Sequence, residues 1–557
     1  MKKYFRRPGL CLPLCAALLL SGCGTQASTT EQSTSSPSTE SASSASSIVQ
    51  TQSTNEWFSD RDLDGSYEES QAISIVFQGD TASCSSDAVT VEDGRVTISD
   101  EGVYLLSGSW EDGQIVIYAD DSDKVQLVLN GVDLTSSTSA AIYALQADKV
   151  FLTLAEGTEN TLSNGGEYVA IDDNNIDAVI FSKTDLTLNG SGSLTIQAPI
   201  GHGVVSKDDL VVTGGSYTIT AASTGMTGKD SLAIAGGTFH ITSGKDALHA
   251  ENEDDTTLGC LYIADGTFTV DAQGDAISAS GTLQIDGGSF DLTTAGGSAS
   301  VSMTTSDTFS SNQRGGARAA SGMEAPSATP TSTAATEETD SSTSEKGIKA
   351  EGALTINGGL FSLDTADDAI HTGGPLLITA GEFTLSSGDD AIHSDDALTI
   401  QGGTFTIPYC YEGIEGLSIT VDDGIFDIVS YDDGINAAGG VDNSGFGGGR
   451  YDSFSTTSDS FITINGGTFT IVSQGDCIDS NGALTINGGT LDLTCNGAGN
   501  TALDTDGTYS NNGGSITTND GSESNPGSMG SGGRAGGQMK NMQRDTAPQA
   551  STTDSSA

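Results

Sequence analysis

The sequence predicts an all-β chain wound as a right-handed, single-stranded parallel β-helix, and three observations carry that prediction. Glycine corners recur along it, the second residue of each at Gly215, Gly237, Gly266, Gly288, Gly359, Gly381, Gly403, Gly424, Gly467 and Gly489, mostly 22 residues apart. The clearest corners sit in a Leu-x-Ile-x-Gly-Gly-x-Phe-x-Ile pattern, where apolar and polar residues alternate as along a half-buried strand. The 73 glycines of this 557-residue chain supply the positive φ that such corners require. TPR, ankyrin and HEAT repeats are longer and helical, and a leucine-rich repeat needs a helical half-turn and an asparagine ladder that are missing here.

Residues 1–22 read as a lipoprotein signal peptide. Lys2, Lys3, Arg6 and Arg7 form its charged region, Leu10 to Leu20 its apolar stretch, and Leu20-Ser21-Gly22-Cys23 a lipobox. Cleavage there leaves Cys23 acylated, so a lipid-anchored protein on the extracellular face of a cell membrane is expected. The apolar run is too short to span a bilayer. Residues 23–56 form a Ser/Thr-rich flexible linker.

The solenoid itself is expected over residues 57–518. Weak repeats at Leu106-Ser107-Gly108, Leu129-Asn130-Gly131 and Leu188-Asn189-Gly190 put its start near Val89. Roughly fifteen coils at ~4.8 Å each give a rod on the order of 70 Å long. Residues 299–344 and 439–458 read as flexible insertions within coils, and residues 519–557 as a disordered Gly/Ser/Met-rich tail. Five cysteines lie in the solenoid; Cys477 takes the small inward position of Ala369 and Ala391, and no disulfide framework is expected.

A formal charge of −55 excludes nucleic acid as a partner and favours divalent cations. Nine residues past the corner glycines stand Asp246, Asp275, Asp368, Asp390, Glu412, Asp433 and Asp476, which stacking would line up in a column. Three residues further lies a second column of His249, Ser278, His371, His393, Glu415, Asn436 and Asp479, with Lys349 in the interrupted coil. Asp367, Asp389 and Asp432 flank the first. Neighbouring charges ~4.8 Å apart repel by roughly 1 kcal/mol in water and ~3.5 kcal/mol at an effective dielectric of 20. With 20 Lys and Arg in the chain, salt bridges are not expected to offset this, which leaves hydrated turns or bound cations. Calcium suits the row, with Asp367, Asp368, Asp389, Asp390, Glu412, Glu415, Asp432 and Asp433 as its candidate ligands. His371 and His393, one coil apart, read as a stacked polar pair rather than a zinc site. Asp60-Arg61-Asp62-Leu63-Asp64-Gly65 opens like a calcium-binding loop but has Gln71 at the twelfth position, so a plain acidic turn competes with a cation site there.

Tyr409, Tyr411 and Tyr431, on the edge that carries Glu412 and Asp433, are candidate sugar-stacking rings, or else caps on the core. An enzyme reading needs its own residues. A calcium-dependent polysaccharide lyase requires a neutral base, for which Lys349 is the candidate and Lys245 a second; a counter-ion role for Lys349 competes. Gly201-His202-Gly203 and Asp389-Asp390 have the flavour of a sugar hydrolase but stand in reversed order and far apart.

Phe58-Ser59-Asp60-Arg61-Asp62-Leu63-Asp64-Gly65, Glu101-Gly102-Val103-Tyr104-Leu105-Leu106-Ser107-Gly108, Leu154-Ala155-Glu156-Gly157-Thr158-Glu159-Asn160-Thr161 and the repeated Asp-Ala-Ile-His turns resemble the carbohydrate-binding domain family of clostridial surface lipoproteins. The likeness covers about Trp57 to Thr518. It implies a pectate-lyase-like β-helix, related to family 9 pectate lyases, that carries Ca²⁺ and binds cellulose or pectin-like acidic polysaccharide without established catalysis. Lys346 and Lys349 in the interrupted coil, and Asn436, depart from a uniform acidic stack. A monomeric, non-catalytic polysaccharide binder is thus expected, with a lyase and a structural or adhesive rod as the competing readings.

Overall fold

The computed structural model describes residues 57–165, 168, 174–303, 344–438 and 460–526. The signal peptide, Cys23, the linker, nearly all of both insertions and most of the tail lie outside these residues. Among the described residues the chain is nearly all β, as expected: 43 strands join one connected sheet, with a single four-residue helix at Asp60–Leu63.

The repeat dictates how the strands pair. Each 22-residue unit contributes three short strands, and each strand pairs in parallel with the equivalent strand of the next unit. The result is three stacks. Ile348–Ala350, Ile370–Thr372 and the start of Ile392–Ile400 lie in the first; Leu354–Ile356 and Leu376–Ile378 lie in the second; Leu360–Thr365, Glu382–Ser387 and Thr404–Cys410 lie in the third. Ile73–Gly79 already pairs in parallel with Gly102–Trp110, so stacking begins at Ile73 rather than near Val89. Val89–Glu92 and Arg95–Ile98 instead form an antiparallel hairpin, whose second strand joins the stacks.

Inward positions repeat in register, so one residue type can stack on itself. Ile356, Ile378 and Ile400 are consecutive partners and fully buried. The third stack carries an aromatic ladder from Tyr217 through Phe239, Phe268, Phe290, Phe361, Phe383, Phe405 and Phe426 to Phe469, with ring centroids 4.5–5.3 Å apart. That distance is set by the spacing of the strands, which here coincides with a favourable offset stack. The Gly-Gly-x-Phe motif explains itself at Gly381: φ is 140°, and a Cβ there would come within 2.7 Å of the Phe383 ring. The glycine makes both the corner and the space for the ring.

The N-terminal segment crosses the second stack as a strap. Trp57 stacks on Tyr262 at 5.2 Å, Arg61 bonds Gln126 at 2.6 Å, and Asp62 reaches Lys149 Nζ at 2.7 Å and Thr187 Oγ1 at 2.5 Å. Burial disfavours the charged form of Asp62, but Lys149, Ser59 and Thr187 together hold its pKa below the ordinary aspartate range. Ser59 and Asp62 form a capping box on the short helix. The middle carboxylate of this motif is thus spent on the fold.

The far end closes with residues assigned above to the tail. Asn519 exchanges hydrogen bonds with the Cys495 backbone, and Asp520 accepts from Ala502 N at 2.8 Å, so the ordered rod extends past Asn519. All five described cysteines are free thiols, and Cys477 is buried as expected.

Candidate functional site

The acidic column exists, but from Asp246 to Glu412 it is a buried row rather than a set of hydrated turns, while Asp433 and Asp476 are half-buried. Asp368 and Asp275 are 1% exposed, and Asp390 and Glu412 6%. In most of these turns a carboxylate of the previous unit accepts the backbone N–H of the column position, whereas Asp368 N donates to Asp367 Oδ1 of its own turn at 3.0 Å. Asp275 N donates to Asp246 Oδ1 at 2.9 Å, Lys346 N to Asp275 Oδ1 at 2.8 Å, Asp390 N to Asp368 Oδ1 at 2.9 Å, and Glu412 N to Asp390 Oδ1 at 3.2 Å. Asp433 and Asp476 continue the pattern, accepting from Asp476 N and Thr501 N. The acids are thus fixed by hydrogen bonds that also hold successive units together.

Salt bridges offset more of the charge than expected. Lys346, which ends the long insertion, stands in the acidic column itself between Asp275 and Asp368. It is 3% exposed, with Nζ 2.7 Å from Asp368 Oδ2 and 3.1 Å from Asp367 Oδ1. The second column adds imidazoles three residues on: His249 Nδ1 lies 2.6 Å from Asp246, His371 Nδ1 2.9 Å from Asp368, and His393 Nδ1 2.9 Å from Asp390. His371 and His393 stack at 5.1 Å.

The row consequently divides. In its lower part, burial raises the Asp368 pKa but Lys346 and His371 outweigh that and hold it well below the usual range. Burial and the Lys346 charge keep His371 below its ordinary value. Above Asp390, His393 is the imidazole partner, and Glu415, Asn436 and Asp479 follow in the second column. Burial, followed by repulsion from Glu415, Asp390 and Asp433, pushes Glu412 well above the usual carboxylate range. Asp433 rises through burial and the charges of Asp479, Asp432 and Asp476, and Asp476 is pushed up to about 7. One neutral oxygen stands out: Asn436 is 4% exposed, its Nδ2 donates to Glu412 Oε2 at 3.0 Å, and its Oδ1 has no hydrogen-bond partner.

Of the predicted ligands, Asp367, Asp368 and Asp389 bring one oxygen each within 4.8 Å of one another, and Asp390 and Glu415 do so with His393. Glu412, Asp432 and Asp433 belong to no such trio among the described residues. Two further trios escaped the sequence reading. Asp476, Asp479 and Asp504 meet at the upper end; Asp185, Asp208 and Asp209 meet at the turn between the first and second stacks. The second trio had a signal in the sequence, the repeated turns Ser182-Lys183-Thr184-Asp185-Leu186 and Ser206-Lys207-Asp208-Asp209-Leu210.

Tyr411 and Tyr431 lie together at 6.4 Å, tilted by 31°, beside the row, while Tyr409 stands 38% exposed two residues before Tyr411. Lys349 pairs with Glu351 at 3.0 Å and lies in register with His371. Burial alone would lower its pKa, but Asp275 and Glu351 raise it above the lysine value. His202 Nδ1 accepts the Thr224 amide at 3.3 Å, and Asp390 stands many units away, so no hydrolase pair forms.

Residues 92–391 and 389–534 match a family model described as carbohydrate-binding domain-containing protein. The chain belongs to that family. This carbohydrate-binding domain protein is 38% identical over 150 residues to a carbohydrate-binding domain-containing protein of Acetivibrio thermocellus, a match covering 26% of the chain and 52% of the relative. The chain therefore spans about half the length of that relative. It is also similar to the solved polysaccharide lyase-like protein from C. thermocellum, a gadolinium derivative, at 35% identity and a TM-score of 0.39, over 40% of this chain and 92% of that one.

Proposed function

We propose that this member of the carbohydrate-binding domain family is a non-catalytic surface lipoprotein that binds plant cell-wall or acidic polysaccharide through divalent cations, calcium foremost, held along the acidic row. In this reading the three stacks wind as a right-handed parallel β-helix, a monomeric rod tethered through Cys23. The observation that carries the cation is the upper row: buried carboxylates outnumber the cationic side chains beside them, and Asn436 Oδ1 is an oxygen without a donor. A hard cation accepting several oxygens relieves both defects at once. Asp390 and Glu415, whose oxygens converge beside His393, are the residues that would hold it, with Glu412, Asp433 and Asn436 offering further oxygens along the row and Asp389 and Asp432 on its flank. When bound, the ion would supply positive charge to a sugar carboxylate or hydroxyl, with Tyr411 and Tyr431 beside it as apolar faces.

The lower row supports a different role. Lys346 already neutralises Asp367 and Asp368, so that trio asks less of a metal than the sequence implied. The protonated Lys349 favours a binder over a lyase, since β-elimination needs a neutral base. Elemental analysis and calorimetry of the purified rod test the reading. Expected are bound calcium, a lower melting temperature in excess chelator, and loss of acidic-polysaccharide binding with it, each mimicked by Asp390→Asn. No bound calcium, together with unchanged melting and binding in chelator, would overturn it.

A further inference from the structure

The outer face of the third stack carries a trough that is distinct from the acidic row. Two concavities of about 460 and 310 Å³ lie end to end on it and share Asp291 as a lining residue. Strand register makes them continuous: Thr218, His240, Thr269, Asp291, Ser362, Thr384 and Thr406 belong to one row of outward side chains, all exposed. Six steps of ~4.8 Å make this row ~29 Å long. A ligand lying along the rod would meet much the same surface at every step, a condition suited to a linear polymer rather than to a compact molecule.

We infer that this trough is a second carbohydrate-binding surface, one that takes a neutral, linear glycan chain without a cation. Its lining is dominated by threonine and serine, each offering a hydroxyl that both donates and accepts, and threonine adds a methyl group for the apolar edge of a sugar ring. Charge decides between polymers. Asp271, Asp291 and Glu382 line the trough against a single imidazole, His240, and no lysine or arginine, so at neutral pH an anionic chain is repelled and an uncharged one is not. The inference rests on the polysaccharide-binding reading but assigns a different face, ligand charge and metal requirement.

The test uses microcrystalline cellulose as the neutral probe and polygalacturonate as the anionic one, each in calcium and in excess chelator. The informative variant is Thr269→Val/Thr384→Val/Thr406→Val, which removes hydroxyls but keeps β-branched shape on an exposed face. Expected is retention of the wild-type rod on cellulose in chelator and its weakening by about tenfold or more in the triple variant, with unchanged melting temperature and unchanged polygalacturonate binding in calcium. Loss of wild-type cellulose retention in chelator, or full retention by the triple variant, would overturn the trough. Failure of the polygalacturonate arm alone would instead count against the cation-mediated site and leave the trough standing.

Discussion

Lys346 places its ammonium 2.7 Å from the Asp368 carboxylate inside a row otherwise built of acids. Both groups are nearly inaccessible to water, at 3% and 1% exposure, so neither is hydrated once its partner is removed. Lys346→Met should therefore destabilise the rod by about 3–5 kcal/mol, the usual cost of stranding a buried charge. The double variant Lys346→Met/Asp368→Asn should recover much of that loss. Chemical denaturation of the four proteins of this cycle measures the coupling, and a single variant as stable as wild type would contradict it.

Two histidines of one column should titrate oppositely. Burial disfavours the charged form of His249, but Asp246 and Glu251 outweigh it and raise its pKa to about 10, whereas burial and Lys346 depress that of His371. The raised group contributes stability that is fully present below its unfolded value of about 6.5 and is lost as pH climbs through about 10. His371 should be neutral at pH 7. NMR titration of the imidazole signals checks both: His249 should show no transition between about pH 6 and 8.

The upper end should make metal-free stability fall with rising pH. Asp476 is raised to about 7 and Asp479 to about 6, by burial first and then by neighbouring aspartates. Carboxylates with raised pKa bind more protons folded than unfolded. Their contribution is present below the unfolded value near 4 and is lost as pH rises through 6 to 7. Melting temperature in chelator should drop between about pH 5 and 8, and added calcium should abolish the drop by replacing the protons.

The aromatic ladder predicts a sharp local penalty. Phe383 is 2% exposed with stacked rings on both sides, so Phe383→Ala should cost about 3–5 kcal/mol. Phe383→Leu should cost less, because Leu491 occupies the equivalent position at the end of the ladder. Denaturant midpoints compare the two.

The lipobox predicts a membrane-associated product. Cys23→Ser should remove lipid labelling and release the protein or leave it unprocessed, read by fractionation. Unlabelled wild-type protein found only in the supernatant would contradict the anchor.

The strands, their inward residues and the acidic column were legible because a fixed period carries each from unit to unit. The role of Lys346 was not, because a long insertion separates it from Asp275 in sequence while leaving it next in space. Burial of the row was also hidden, since Asp-Asp turns read as solvated until their oxygens are seen to accept the next amide. Sequence placed Tyr411 and Tyr431 on one edge, yet Tyr409 beside them stands apart. The strap was invisible for a plainer reason: Asp62 and Thr187 are 125 residues apart, and no repeat links them.

That strap has a mechanical consequence. The chain enters the rod at Trp57 against Tyr262, several units along its flank, and is pinned again where Asp62 meets Lys149. A pull on the N-terminus would load the side of the stack as shear across an ion pair, a capping box and two aromatic faces. It would not peel the first strand from the tip, so traction would have to strip the strap away before it could unravel a single unit.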